Sequence, residues 1–368
     1  MDRAPDVRSP HNGWGVVKRQ DTGLWILDRR FESSRPNHNG CWKGGRLGHL
    51  TFMEGVGMND ELRVIAGTAN PELGAKIAEY LGVKLCEVEV GHFSDGELKV
   101  RIQDNIRGRD IFIIQSTFAP ADNLLELLLM VDACCRASAH RITAVIPYYG
   151  YARQDRKDQP RVPISAKLVA NLITTAGTDR VLALELHAAQ IQGFFDIQVD
   201  NLFAAPVFFE YIRGKKLKNI TVVSPDVGGI KMGRSFAKRL GANLAIVDKR
   251  RTSADTSEVM NIIGEVAGSD IIIYDDIIST AGTITQAAGV LKAAGAGKII
   301  AAATHPVLSG DALEKLERSP IEEVIVTNSI PVKNGARCGK IKVLDVSSLL
   351  GEAIRRIHTR ESISILFD

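Results

Sequence analysis

The chain is predicted to fold as α/β throughout, each half a mostly parallel sheet flanked by helices. Two observations predict this: short runs rich in Val, Ile and Ala that are apolar at nearly every position, and amphipathic helical stretches that alternate with them. A strand apolar on both sides must be covered on both sides, and alternation with helices then implies parallel strands joined by crossovers. There are also too many such runs for one ordinary sheet, and they divide near residue 205 into halves of similar rhythm.

In chain order the strand runs are RVIAG from 63, DIFIIQS from 110, RITAVIPYYG from 141, RVLALEL from 180, TVVSP from 221, LAIVDK from 244, DIIIYDD from 270, KIIAAATH from 298 and EEVIVTNS from 322. Their length and β-branched content suit strands. Helical patterns between them include PELGAKIAEYLG, DNLLELLLMVDACCRA, SAKLVANLITTAG and TQAAGVLKAAG. The expected domains are 58–205 and 206–356, with the end of the last helix, SSLLGEAIRRIH, and the ESISILF segment returning to the first domain through residues 357–368. Ligands of open sheets bind outside the carboxyl ends of the strands, so function is expected in the loops that follow these runs.

Residues 1–57 differ: they hold all three tryptophans, are rich in Gly, Asn and Arg, and show no sustained period. They are also too acidic for a typical organellar transit peptide. The regular pattern starts at Met58, read as the functional start after a disordered or non-native leader; the competing reading is a real arm that binds something. No apolar run approaches the ~18 residues of a membrane span, and no secretory signal is recognised. The five cysteines are scattered without paired metal spacing. A cytoplasmic protein with no membrane partner is expected. Of 46 Lys and Arg and 43 Asp and Glu, nine and six lie within 1–57, so the body is formally neutral and lacks the basic face that a nucleic-acid partner needs.

The stretch Ile271 to Thr285, IIIYDDIISTAGTIT, reads as strand, acidic tip, small-residue turn and helix. Where the chain leaves the sheet, Asp275 and Asp276 can accept hydrogen bonds from neighbouring sugar hydroxyls. The turn Ser279-Thr280-Ala281-Gly282-Thr283 offers backbone N–H groups and the positive end of a helix dipole to a phosphate. Vicinal hydroxyls beside a phosphate describe a pentose 5-phosphate. The plainer alternative is that the acids end a strand and Ser279 or Thr280 caps the helix.

This string resembles the ribose-phosphate signature of the type I phosphoribosyltransferase fold, which implies two tandem domains of that build. Four further motifs occur in order: FSDGE (93–97), YARQDRK (151–157), HAAQIQGFFD (187–196) and PDVGG (225–229). With them, the sequence from Met58 to Asp368 resembles the ribose-phosphate pyrophosphokinase family. The resemblance implies an ATP-dependent diphosphotransferase that converts ATP and D-ribose 5-phosphate into 5-phospho-α-D-ribose 1-diphosphate and AMP, for nucleotide, histidine and tryptophan biosynthesis.

The resemblance also implies residue roles. Phe93 stacks adenine, with Asp95 and Glu97 as acceptors for its amine, and Arg153, Gln154 and Asp158 belong to the nucleotide loop. His187 and Asp226 help hold Mg2+, Lys249 and Arg251 are the catalytic basic pair on a mobile loop, and residues 275, 276 and 279–283 take ribose 5-phosphate. Arg107, Gln192, Ser362 and Ser364 match positions near a regulatory site where inorganic phosphate activates and ADP inhibits. Homo-oligomers, dimers assembling to hexamers, are implied as well. The chain departs from the pattern at Ser279, where many relatives carry an acid, and at Ala189, where a serine is common. The first departure bears on sugar-phosphate affinity and the second on phosphate control. The alternatives are a phosphoribosyltransferase that consumes the same diphosphate, and a catalytically silent regulatory subunit.

Overall fold

The structure, a computed structural model, describes residues 61–250, 259–332 and 338–366. The first half runs β1 (Leu62–Ala66), α1 (Pro71–Leu81), β2 (Val88–His92), β3 (Leu98–Ile102), β4 (Asp110–Ile114) and α2 (Asp122–Arg136). It continues through β5 (Arg141–Ile146), α3 (Ser165–Ala176), β6 (Arg180–Leu184) and β7 (Gln198–Leu202). Five of these strands form a parallel sheet in the order β1-β4-β5-β6-β7, and β2 and β3 form a separate antiparallel hairpin.

The second half runs α4 (Ala205–Arg213), β8 (Thr221–Ser224), α5 (Ile230–Leu240), β9 (Asn243–Arg250), β10 (Val259–Ile263), β11 (Ile271–Ile278) and α6 (Gly282–Ala293). After these come β12 (Ile299–Pro306), α7 (Ala312–Arg318), β13 (Glu323–Thr327), β14 (Ile341–Leu344) and α8 (Ser347–Thr359). Its sheet has the order β10-β9-β8-β11-β12-β13-β14, parallel except for the antiparallel edge strand β10.

The expected α/β class holds, and burial explains why the runs were apolar throughout. Every residue of β4 and of β12 is buried. Alternate side chains of each sheet enter different cores. Val64, Phe112 and Leu182 from the first sheet share a core with Ile272, Tyr274 and Ile300 from the second, while Ile65, Ile111 and Val181 face α2 and α3, and Ile273, Ala301 and Val324 face α6 and α7. The strands absent from the run list, β2, β3, β7, β10 and β14, are edge or hairpin strands. Where only one side is covered, as in VEVGH and LKVRI, polar residues interrupt the apolar run.

α1 starts cleanly because Asn70 Oδ1 accepts from Leu73 N and Pro71 occupies the first turn, and it stops at Gly82 in the left-handed region (φ 66°). Its apolar face, Leu73 and Ile77, shares its core with Leu350, Ala353, Ile354 and Ile357 of α8. The helices approach closely at Gly351, where a Cβ would stand 2.5 Å from Tyr80 Cδ1. Arg141 donates to the Ile357 carbonyl at 3.2 Å, and His358 Nδ1 lies 2.7 Å from Asp110 Oδ2. The apolar stripe of α8 therefore packs on the first half along its length, and just before the helix Asp345 pairs with Lys76 of α1 at 3.2 Å.

Candidate active site

A cleft of about 830 Å³ opens at the carboxyl end of β11, walled by the loop after β6, the β8–α5 turn and the β11–α6 turn. The β11–α6 turn is built as an anion seat. Ala281 holds φ 59°, a left-handed conformation unfavourable for a residue with a Cβ, and α6 begins at the next residue. No side chain caps that helix, so the plainer reading of Ser279 or Thr280 as a cap does not apply. The Thr285 hydroxyl turns back to Ala281 O at 2.8 Å, and the first-turn N–H groups keep the positive end of the dipole facing the cleft. Ser279 is fixed from outside the turn. Ser309 N donates to its carbonyl at 2.9 Å, Ser309 Oγ lies 3.2 Å from its hydroxyl, and Arg153 Nη1 reaches that hydroxyl at 3.5 Å.

Asp275 and Asp276 both line the cleft but differ in surroundings. Asp276, 8% exposed, has Oδ2 at 2.7 Å from His187 Nδ1. Burial alone would raise its carboxyl, but the hydrogen bond and charge of His187 outweigh it and hold Asp276 below the usual carboxylate range. His187 is raised in turn, first by that hydrogen bond, against the opposing effect of burial. Asp275 goes the other way: burial and the adjacent Asp276 charge push it well above the usual range. One acid is thus charged and the other inclined to keep a proton.

Behind them lies a polar cluster at the seam between the two halves. Glu185, at the end of β6, accepts from Tyr274 OH at 3.2 Å, from Thr304 Oγ1 at 2.5 Å and from Ala204 N at 3.1 Å. His305 Nε2 lies 3.0 Å from the Glu185 carbonyl, and its Nδ1 meets Ser329 Oγ at 2.9 Å. Burial raises the Glu185 carboxyl and lowers His305.

Residues 62–177 match a family profile described as the N-terminal domain of ribose phosphate pyrophosphokinase, and residues 251–368 one described as the phosphoribosyl synthetase-associated domain. The ribose-phosphate pyrophosphokinase of Chlorobaculum tepidum is 56% identical over 312 residues, 84% of this chain and 96% of that protein. The chain belongs to the ribose-phosphate pyrophosphokinase family. The Wolinella succinogenes ribose-phosphate pyrophosphokinase is 54% identical, with 83% of this chain and 98% of that protein covered. The crystal structure of phosphoribosylpyrophosphate synthetase from Mycobacterium smegmatis superposes with a TM-score of 0.78 at 41% identity, covering 82% of this chain and 99% of that one. The chain is therefore an enzyme of the ribose-phosphate pyrophosphokinase class.

The residues this family resemblance implicates are not all in one place. Arg153, His187, Asp226, Asp275, Asp276 and Ser279 to Thr283 share the cleft. Phe93, Asp95 and Glu97 stand instead on the turn of the β2–β3 hairpin, outside the cleft lining, with Phe93 54% exposed. Gln154 and Asp158 are exposed beyond the lining, and Gln154 Oε1 accepts from Ser165 Oγ at 2.5 Å. Lys249 lies within β9 opposite Met260 of β10, and Arg251 lies outside the described residues. Arg107 donates to Ser138 Oγ at 3.1 Å, Gln192 to Ala189 O at 3.1 Å, and Ser362 to Ser364 Oγ at 3.1 Å, so these four take local partners.

Among the described residues no three His, Cys, Asp or Glu side chains converge on a metal position. His187 and Asp226 still fit a magnesium ion of the kind that takes most of its shell from water and substrate phosphates. Asp276 engages Nδ1 of His187 and so leaves Nε2 for another partner. Asp226 is exposed and holds Gly229 N through Oδ1 at 2.8 Å, which aims its carboxylate within the turn. Tyr274, Thr304, His305 and Ser309 were not anticipated. The signal for two of them was present: Thr304 and His305 are polar residues inside the otherwise apolar run IIAAATHP.

Proposed function

We propose that the chain transfers the diphosphoryl group of ATP to the anomeric hydroxyl of D-ribose 5-phosphate. The anomeric oxygen attacks the β-phosphorus, the bond from that phosphorus to the oxygen bridging it to the α-phosphorus breaks, and AMP departs with the bridging oxygen. The observation that carries this reading is the acid pair at the tip of β11 standing beside the uncapped N-terminus of α6 in one cleft. Asp275 and Asp276 hold the 2- and 3-hydroxyls, and residues 279–283 seat the 5-phosphate.

Arg153, whose Nη1 reaches the Ser279 hydroxyl of that seat at 3.5 Å, supplies a guanidinium to the nucleotide phosphates. His187 and Asp226 would hold magnesium, which would supply charge neutralisation to the triphosphate when bound. Lys249 and Arg251 stabilise charge on the transferring group. The transfer asks mainly for alignment and charge neutralisation. Phe93, Asp95 and Glu97 provide the adenine contacts, in a homo-oligomer, and Arg107, Gln192, Ser362 and Ser364 form a phosphate-responsive site.

The test is release of AMP from ATP that depends on ribose 5-phosphate, with magnesium and no base added. A phosphoribosyltransferase would need a base, and a silent subunit would release nothing; either result would overturn the proposal.

A further inference from the structure

The two substrates of this transfer meet different halves of the chain. His187 and Arg153 follow β6 and β5 of the first sheet, whereas the acid pair and the phosphate turn belong to β11 of the second. Their relative position is set where the halves touch, and two side-chain contacts there form a ladder. Glu185 meets Tyr274 at 3.2 Å, and two residues farther along each segment His187 meets Asp276 at 2.7 Å. Tyr274 and Asp276 are two apart on the extended β11 and point the same way, and a single residue separates His187 from Glu185 where the chain bends after β6, so a shift of Glu185 against Tyr274 carries His187 with it against Asp276.

We propose that Glu185, clasped by Tyr274 and Thr304, is a positioning residue that sets where His187 stands against Asp276; this rests on the function proposed above. Three features support it. Both carboxylate oxygens are used, by donors from β11, from β12 and from the Ala204 backbone, so the side chain is held from both halves. Its carbonyl is engaged by His305, the partner of Ile277 in the β11–β12 pairing. Its backbone sits at φ 47°, and a residue with a Cβ stays in that region only where its surroundings hold it. An apolar contact would seal the same seam, whereas a fully partnered buried acid specifies one arrangement.

The experiment uses the full chain with Tyr274→Phe, Thr304→Val, Glu185→Gln and Glu185→Ala beside wild type. Four quantities are measured: thermal unfolding, separate equilibrium binding of ATP and ribose 5-phosphate, ribose 5-phosphate-dependent AMP release, and the His187 ring-proton signals of the ligand-free protein, assigned by their loss in His187→Asn. Each clasp variant should lower kcat on the order of tenfold to a hundredfold, as expected for a misplacement of about 1 Å, with binding of each substrate alone within about threefold. The His187 signals should shift in every clasp variant. Glu185→Gln, which can accept from Ala204 N and donate to the Tyr274 oxygen, should lose less than Glu185→Ala. Unshifted His187 signals, or unchanged kcat in both Tyr274→Phe and Thr304→Val, would overturn the positioning role. If wild type released no AMP the proposed function would fail, and the ligand-free His187 signals would still decide this inference by themselves.

Discussion

Replacing Asp276 by Asn should harm the enzyme far more than replacing Asp275 by Asn, although the two carboxylates are neighbours in sequence. Asp276 is buried, charged and bonded to His187 at 2.7 Å. Asn keeps the shape but turns charge-assisted hydrogen bonds, worth about 1.5–3 kcal/mol, into neutral ones worth about 0.5–1.5. With one bond to His187 and, in the proposed substrate complex, one to a sugar hydroxyl, the loss is about 2–3 kcal/mol, or roughly 30- to 150-fold in kcat/KM. Asp275 is pushed upward by burial and by the Asp276 charge, so its protonated form already resembles an amide. Asp275→Asn should cost under about tenfold. The assay is ribose 5-phosphate-dependent AMP release with the sugar phosphate varied at saturating ATP. Equal losses, or a larger loss at Asp275, would refute the reasoning that the His187 contact sorts the pair into one charged and one neutral acid.

Further outcomes follow from other parts of the molecule. Lys249→Ala should lower turnover on the order of 100- to 1000-fold with a smaller effect on ATP affinity, the loss typical of one preorganised donor; steady-state kinetics beside ATP titration measure both. Gly351→Ala forces a Cβ against Tyr80 and should destabilise the α1–α8 contact by about 1–3 kcal/mol, seen as a lower Tm. Burial would raise the Asp110 carboxyl, but hydrogen bonds from His358 and Arg141 outweigh it and hold the group below its ordinary range. Its stabilisation is therefore present above the ordinary Asp pKa of about 3.9 and is lost as pH falls through the lower folded value. Asp110→Asn should accordingly be less stable than wild type near neutrality and show a flatter acid limb in thermal melts followed from pH 6 to pH 2.

Much of the fold was legible because most strands are covered on both faces and so carry no polar interruption; DIFII and IIAAA announce themselves. Strands covered on one face, such as VEVGH and QVDNL, keep polar residues and blend with loops. The cleft residues after β6, β8 and β11 were legible because chemistry there is concentrated in short motifs at strand ends. The seam was not. Tyr274 looked like the last residue of an apolar strand, and nothing local ties it to Glu185, 89 positions earlier. The pairing of His187 with Asp276 was missed for the same reason: each was read beside its sequence neighbours, and the fold joined them to each other.

The docking of α8 on α1 also governs how the protein must be made. A nascent chain threads β1, α1 and β4 out of the ribosome early, yet the stripe of Leu350, Ile354 and Ile357 that completes their covering emerges only after all fourteen described strands. At roughly 5–20 residues per second, that apolar surface waits on the order of ten seconds or more without its native lid. Vectorial folding therefore leaves this half greasy until α8 has emerged, an interval in which its uncovered apolar face is open to the wrong contacts.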